Sequence, residues 1–159
     1  MSLVNPAAIT LGYHHACAID DNGVHCWGKN LVLPSVYGMA DVPTNLVNPV
    51  TVAAGYRHSC ALDDNGVHCW GNNDYGQTDD KPYLVNPVTV STGKYHTCVL
   101  GDNGVYCWGS NWDGKTDVPT DLVNPVAVSA GKELTCAIDD NGVHCWGRNL
   151  YGEAIVPTN

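Results

Sequence analysis

The chain repeats itself four times, and no other feature constrains its fold as strongly. The copies run Leu3–Asn45, Leu46–Tyr83, Leu84–Asp121 and Leu122–Asn159. The last three span 38 residues each, and the first carries five more, which align as the insertion Leu31-Val32-Leu33-Pro34-Ser35. Every copy opens with Leu-Val-Asn-Pro and continues to Cys-x-[Ile/Leu]-x-Asp-Asn-Gly-Val-x-Cys-Trp-Gly. A unit of about forty residues cannot bury both faces of its own structure, so each copy needs a neighbour on either side.

Within copy two the pattern is that of short strands. Val50-Thr51-Val52-Ala53-Ala54 has β-branched character and stops at Gly55. His58-Ser59-Cys60-Ala61-Leu62 alternates and stops at Asp63-Asp64-Asn65-Gly66, and Val67-His68-Cys69-Trp70 stops at Gly71. Asn-Gly between alternating apolar runs signals a hairpin, because both residues tolerate positive φ. The polar segment Asn72–Gln77 suits a short outer strand with a loop. No segment has the 3.6-residue period of a long amphipathic helix. The expectation is all-β: four β-propeller blades of three or four strands, with bounds 3–45 (insertion 31–35), 46–83, 84–121 and 122–159.

Apolar residues at 44% and charged residues at 14% argue for a packed chain rather than a disordered one. The net charge of −9, with no local run of Lys and Arg, opposes a nucleic-acid partner. No apolar stretch approaches the roughly 20 residues that span a bilayer, so no membrane role is expected. Met1-Ser2-Leu3 carries no signal peptide and runs straight into the repeat. Eight regularly placed cysteines nevertheless favour an extracellular or periplasmic protein, met here as its mature segment.

At Gly-x-x-His-x-Cys-Ala-[Ile/Leu]-x-x-x-Gly-Val-x-Cys-Trp-Gly-x-Asn-x-x-Gly the sequence resembles the regulator of chromosome condensation repeat family. The matching stretches are Gly12–Gly38, Gly55–Gly76, Gly93–Gly114 and Gly131–Gly152. The doubled cysteines look like a bacterial, exported branch. The resemblance implies a rigid platform that displays variable loops. It also implies seven blades, where this sequence offers four: an eight-bladed ring closed by homodimerisation, an open arc and a fragment of a longer chain are the alternatives, and the dimer is the one expected. Family activities include guanine-nucleotide exchange and inhibition of β-lactamases through the loops of one face, but no residue here matches either specifically.

The cysteines form four pairs separated by eight residues: Cys17/Cys26, Cys60/Cys69, Cys98/Cys107 and Cys136/Cys145. If Asp20-Asp21-Asn22-Gly23 closes the hairpin, Ile19 faces Val24 and Cys17 faces Cys26, within disulfide reach. A three-residue turn would instead send each pair to opposite faces. Four disulfides within the repeats are the leading reading, and zinc and buried thiols are the alternatives. The spacing is a poor match to structural zinc sites.

His15, His58 and His96 share one repeat position, taken by Leu134 in copy four. His25, His68 and His144 share another, taken by Tyr106 in copy three. A ring of imidazoles could hold a metal, but hydrogen bonds from the first set to backbone between blades are the simpler expectation, and no metal or cofactor is assigned. Trp27, Trp70, Trp108 and Trp146 read as core between blades. The Asp-Asp-Asn-Gly turns lack the spaced ligands of an EF-hand loop and read as turn chemistry. No Gly-x-Ser-x-Gly, phosphate loop or His-Glu-x-x-His occurs, so an enzyme is not expected.

Specificity in a repeat protein falls to the positions that vary between copies. Candidate binding residues are Trp112, Tyr75, Tyr151, Arg57 and Tyr95, with Leu31 and Leu33 of the insertion. The function expected is a non-enzymatic scaffold that binds a protein partner through loops on one face. A self-assembling propeller half without further activity, or a binder of small molecules, glycans or metals, are the alternatives.

Overall fold

The computed structural model describes residues 2–29, 38–81 and 83–157. Each copy folds as one antiparallel three-stranded sheet with its strands in sequence order. Copy one holds β1 (Ala8–Leu11), β2 (His15–Asp20) and β3 (Gly23–Gly28), and copy two holds β4 (Thr51–Ala54), β5 (His58–Asp63) and β6 (Gly66–Gly71). Copy three holds β7 (Thr89–Thr92), β8 (His96–Gly101) and β9 (Gly104–Gly109), and copy four holds β10 (Ala127–Ala130), β11 (Leu134–Asp139) and β12 (Gly142–Gly147).

The outer strand expected at Asn72–Gln77 does not form. Asn73 Oδ1 accepts the Thr78 N–H while its Nδ2 donates to Asp79, both at 2.9 Å. Asn111 does the same with Thr116 and Asp117, beside a 3-10 turn at Trp112–Gly114. The side chain closes the loop on itself and takes a backbone donor that a strand ladder would need.

The hairpins carry the register that the cysteine argument requires. Asp20 pairs Gly23, Ile19 pairs Val24 and Cys17 pairs Cys26, and the other copies repeat this. Cys17–Cys26, Cys60–Cys69, Cys98–Cys107 and Cys136–Cys145 are all disulfides, with Cα atoms 4.0–4.1 Å apart. None of these cysteines is a free thiol. The two members of a bridge differ in burial: Cys17, Cys60 and Cys98 are sealed, whereas Cys26, Cys69 and Cys107 on the outer strand are only partly buried. At the turn only the glycine takes positive φ, +113° at Gly23, where other residues would be strained. The preceding Asn22 instead donates its N–H to Asp20 Oδ1 at 2.8 Å.

Asp20 also ties the blade entry to its hairpin. Its Oδ2 accepts the Val4 N–H and its Oδ1 accepts from His25 Nε2, each at 2.8 Å. The bond from Val4 most of all, with those from Asn22 and His25, holds the Asp20 carboxyl down at about 2 against the opposing pull of burial. Asp63 and Asp139 repeat the arrangement with His68 and His144. Copy three has Gly101 and Tyr106 at these two positions, so both halves of the pair change together.

Neighbouring blades bury one another. Cys17 and Ile19 of blade one pack with Val52, Ala54, Ala61 and Trp70 of blade two. Equivalent clusters join blades two to three and three to four, and in the last of them Cys107 packs beside Leu100, Val105, Ala137 and Trp146. Trp70, Trp108 and Trp146 are 8%, 7% and 9% exposed, as the core reading requires. Trp27 departs from it at 46% exposed, on the face of blade one turned away from blade two. Ile138 and Val143 are correspondingly exposed on the far side of blade four.

A polar relay crosses each junction. His15 Nε2 meets Ser59 Oγ at 2.8 Å, and His58 and His96 meet Thr97 and Thr135 at 3.0 Å. The partners are therefore side-chain hydroxyls of the next blade, rather than the backbone expected from sequence. Each hydroxyl donates onward to a loop carbonyl, Met39, Gln77 or Lys115, at 2.8–2.9 Å. With that proton committed, each histidine donates from Nε2, and its buried Nδ1 has no partner to accept a second proton's hydrogen bond. Burial lowers the imidazole of His58 to about 3 and that of His96 to about 4, with neighbouring histidines adding at His58 and Lys115 adding at His96.

Candidate functional site

The strand register gives the molecule two unlike ends. At one end lie the Asp-Asn-Gly turns, with Asp21, Asp64, Asp102 and Asp140 each bonded to the Asn of a Leu-Val-Asn-Pro entry. At the other end β1, β4, β7 and β10 finish, and the loops after β3, β6, β9 and β12 begin, because His15 pairs Gly28 and its counterparts do likewise. Of the seven Lys and Arg residues, only Lys81 lies away from this second end, in the hollow beside the Asp64-Asn65-Gly66 turn. A chain with net charge −9 thus concentrates its cations where the variable residues are.

Aromatic rings join across that end into one row. Tyr13 lies against His14 and Tyr56, with ring centroids 4.3 and 4.6 Å away. Tyr56 meets Tyr95 at 5.5 Å, Tyr95 meets Tyr75 at 5.0 Å, and Tyr75 meets Trp112 at 5.3 Å. Tyr13, Tyr56 and Tyr95 stand in turns between the first and second strands of successive blades, so stacking the blades brings them together. Arg57 lies over the Tyr56 ring at 5.2 Å, and Lys94 Nζ is 5.0 Å from the centre of Tyr95. Tyr13 and Trp112 are exposed, as is Tyr75. The row borders a cavity of about 430 Å³ lined by Leu11, Tyr13, Tyr56, Lys94 and Lys132 where the inner strands end.

Below the row, Lys115 is wholly buried and donates to Glu133 Oε2 at 2.6 Å, while Lys94 donates to Glu133 Oε1 at 3.2 Å. Burial pushes the Glu133 carboxyl up, but the hydrogen bond and charge of Lys115, followed by those of Lys94, hold it below the ordinary range. Two cations of blade three thus clamp one carboxylate of blade four.

Four of the candidate binding residues meet here: Trp112, Tyr75, Tyr95 and Arg57. Tyr151 is exposed in the equivalent loop of blade four, outside the row. Leu31 and Leu33 lie outside the described residues. Tyr13 and Tyr56 belong to the row although neither was among the candidates, and the signal was there: both precede the repeated His by two residues. Among the described residues, no group of three His, Cys, Asp or Glu side chains converges as a metal site.

Among curated protein sequences no match was found. Among solved structures, the chain is similar to Prp20p from Saccharomyces cerevisiae, with TM-score 0.82 and 18% identity over 99% of this chain and 49% of that one. It is also similar to the ectodomain of the Physcomitrella patens receptor kinase CR4, with TM-score 0.74 and 26% identity over 92% of this chain and 42% of that one. Human WBSCR16 matches with TM-score 0.75 and 24% identity, over 93% of this chain and 50% of that one. The chain thus spans about half the length of the structures it matches. The family model described as the regulator of chromosome condensation (RCC1) repeat matches residues 7–31, 50–77, 88–114 and 126–153. Matched once in every copy, across all four cysteine pairs, the chain belongs to the regulator of chromosome condensation (RCC1) repeat family.

Proposed function

We propose that this chain is a non-enzymatic scaffold that binds a protein partner through its aromatic and basic end. The observation that carries this is the continuous row from Tyr13 to Trp112, flanked by Arg57 and Lys94. Rigid aromatic rings beside cations are the side chains that dominate binding energy at protein interfaces. The complementary partner surface is acidic and apolar, since the row is apolar and its flanks are cationic. Prp20p, whose structure is described with its binding to Gsp1p and histones, makes protein binding a natural use of this fold. Disulfides in every blade suit an oxidising, extracellular or periplasmic setting, and the similar CR4 structure is a receptor ectodomain. The exposed faces of blades one and four suit a ring completed by a second copy of the chain.

The test is comparative capture from extracellular or periplasmic extract. The wild-type chain is set against a Tyr56→Ala/Trp112→Ala variant, with Tyr151→Ala as the control outside the row. A partner held by wild type and control but lost from the double variant is the expected result. If every captured species ignores the double variant, the aromatic end is not the binding face.

A further inference from the structure

The three junctions within the chain follow one rule: a histidine of one blade meets a hydroxyl of the next. Two positions break it, and they lie at opposite ends of the array. Blade four has Leu134 where the histidine belongs, and blade one has Ala16 where Ser59, Thr97 and Thr135 stand. Each change alone would leave a mismatched polar group at an ordinary junction. Together they fit one another, an apolar pair in place of a polar one. The chain already shows such coupled replacement, since Asp and His become Gly101 and Tyr106 together in blade three.

We propose that blade four docks on blade one of a second copy, closing an eight-bladed ring through two identical seams. This rests on the reading that a second copy completes the ring, and it names the residues that make the contact. Repeat equivalence specifies them. Ser91 Oγ accepts the Ala130 N–H at 2.9 Å across junction three to four, and the matching pair is Ser129 with the second copy's Leu11 N–H. Trp146 donates its indole N–H to the Lys115 carbonyl at 3.0 Å, so Trp27 of the second copy is offered the Glu153 carbonyl. Ile9, Leu11 and Trp27 on one side, with Ile138 and Val143 on the other, are exposed where their counterparts in the inner blades are buried or half-buried.

Charge completes the fit. Met39, Gln77 and Lys115 end the loops of blades one to three and are wholly buried under the next blade. Glu153 holds this place in blade four and lies exposed, its Oε2 accepting the Tyr151 N–H. Covering a carboxylate requires a donor or a cation. The positions equivalent to Glu133 and Lys94, which surround Lys115, are His14 of the second copy and Lys132 of the same blade. An acid thus comes to face an imidazole and a lysine, in place of the lysines that clamp Glu133 at the inner junction. Head-to-tail contacts of this kind close a ring when the rotation permits and run on as filaments when it does not.

The experiment is sedimentation equilibrium on the whole oxidised chain and three variants: Leu134→Asp, Glu153→Arg, and Glu153→Arg with His14→Glu. The expected wild-type mass is twice 17.0 kDa. Leu134→Asp should give monomer, Glu153→Arg should weaken the dimer by about tenfold or more, and adding His14→Glu should recover most of that loss. His14 and Glu153 are surface residues of the single chain, so circular dichroism of these variants should match wild type. A dimer indifferent to Leu134→Asp and Glu153→Arg would overturn the seam while leaving a second copy as partner. A monomer at every concentration would overturn both. Filaments that Leu134→Asp dissolves would support the seam and overturn the two-chain ring.

Discussion

Acidifying the chain from about pH 7.5 to about pH 5 should remove a large share of its stability, through His58 and His96. Both imidazoles are buried and neutral, at about 3 and about 4, against 6.5 for a free histidine. The unfolded chain therefore binds protons that the folded chain refuses. Their contribution is complete above 6.5 and is lost as pH falls toward the folded values. At pH 5 the folded rings are still neutral, so each lost pH unit below 6.5 costs about 1.4 kcal/mol per ring, or ~2 kcal/mol for each. Together that is ~4 kcal/mol, against a typical total of about 5–15. The carboxylates with lowered values, such as Asp20, titrate in a separate window below 3.8. Urea unfolding at constant ionic strength, across this pH range, measures the slope. His58→Leu should lose about 1 kcal/mol near neutrality, because Thr97 keeps its bond to the Gln77 carbonyl, and should halve the slope. A stability that is flat between about pH 7 and pH 5, or an unchanged slope in His58→Leu, would refute the relay as drawn.

Four further outcomes follow from the packing. Replacing Cys60 and Cys69 together by Ala should cost about 2–3 kcal/mol of unfolding free energy, as a cross-link with a sequence separation of 9 implies. Gly93→Ala should destabilise strongly, because a Cβ there collides with the Gly131 carbonyl and the His96 ring; Gly131→Ala, whose nearest atom is the Leu134 side chain at 3.2 Å, should be far milder by thermal melting. Glu133→Gln should cost about 3 kcal/mol by chemical denaturation, since it leaves the buried Lys115 ammonium without its carboxylate. Trp70→Ala should cost about 3–5 kcal/mol, and Trp27→Ala much less in the isolated chain, because only the first is covered by a preceding blade.

Much of the blade was legible in the sequence because a strand's side chains alternate. Fixing Asp20 opposite Gly23 fixes Cys17 opposite Cys26, and the same turn in copy three sets Cys98 opposite Cys107, so the turn residues dictated the disulfides. The outer strand was misread because composition does not reveal that Asn73 and Asn111 fold back on their own loops. Trp112 stood out as a departure from the repeat, whereas Tyr75 recurs as Tyr151 in copy four. The basic end did not, since each copy contributes its Lys or Arg residues far apart along the chain and stacking alone gathers them. Lys115 was the least readable of all, because a lone lysine in a loop gives no sign that the next blade will cover it. The histidines were assigned correctly to the junctions, but to the wrong acceptor. The Ser and Thr that receive them are separated from them by about forty residues, and only the fold supplies that pairing.

The unequal burial within each bridge gives the disulfides a direction. Cys17, Cys60 and Cys98 have no exposed surface once the following blade is in place, and a hydroxyl of that blade rests 3.7–3.8 Å from each sulfur. A reducing thiolate can therefore approach only from the side of Cys26, Cys69 or Cys107, which remain partly exposed. Attack there expels the inner sulfur as a thiolate into a dry junction, where burial raises its proton affinity and makes it a poor leaving group. The three bridges are thus locked by their neighbours as well as by their own bonds. Cys136 is the exception, partly exposed in the single chain, so its bond to Cys145 can open from either side. Reduction should therefore begin at blade four, and a second copy seated on that blade would close the point of entry.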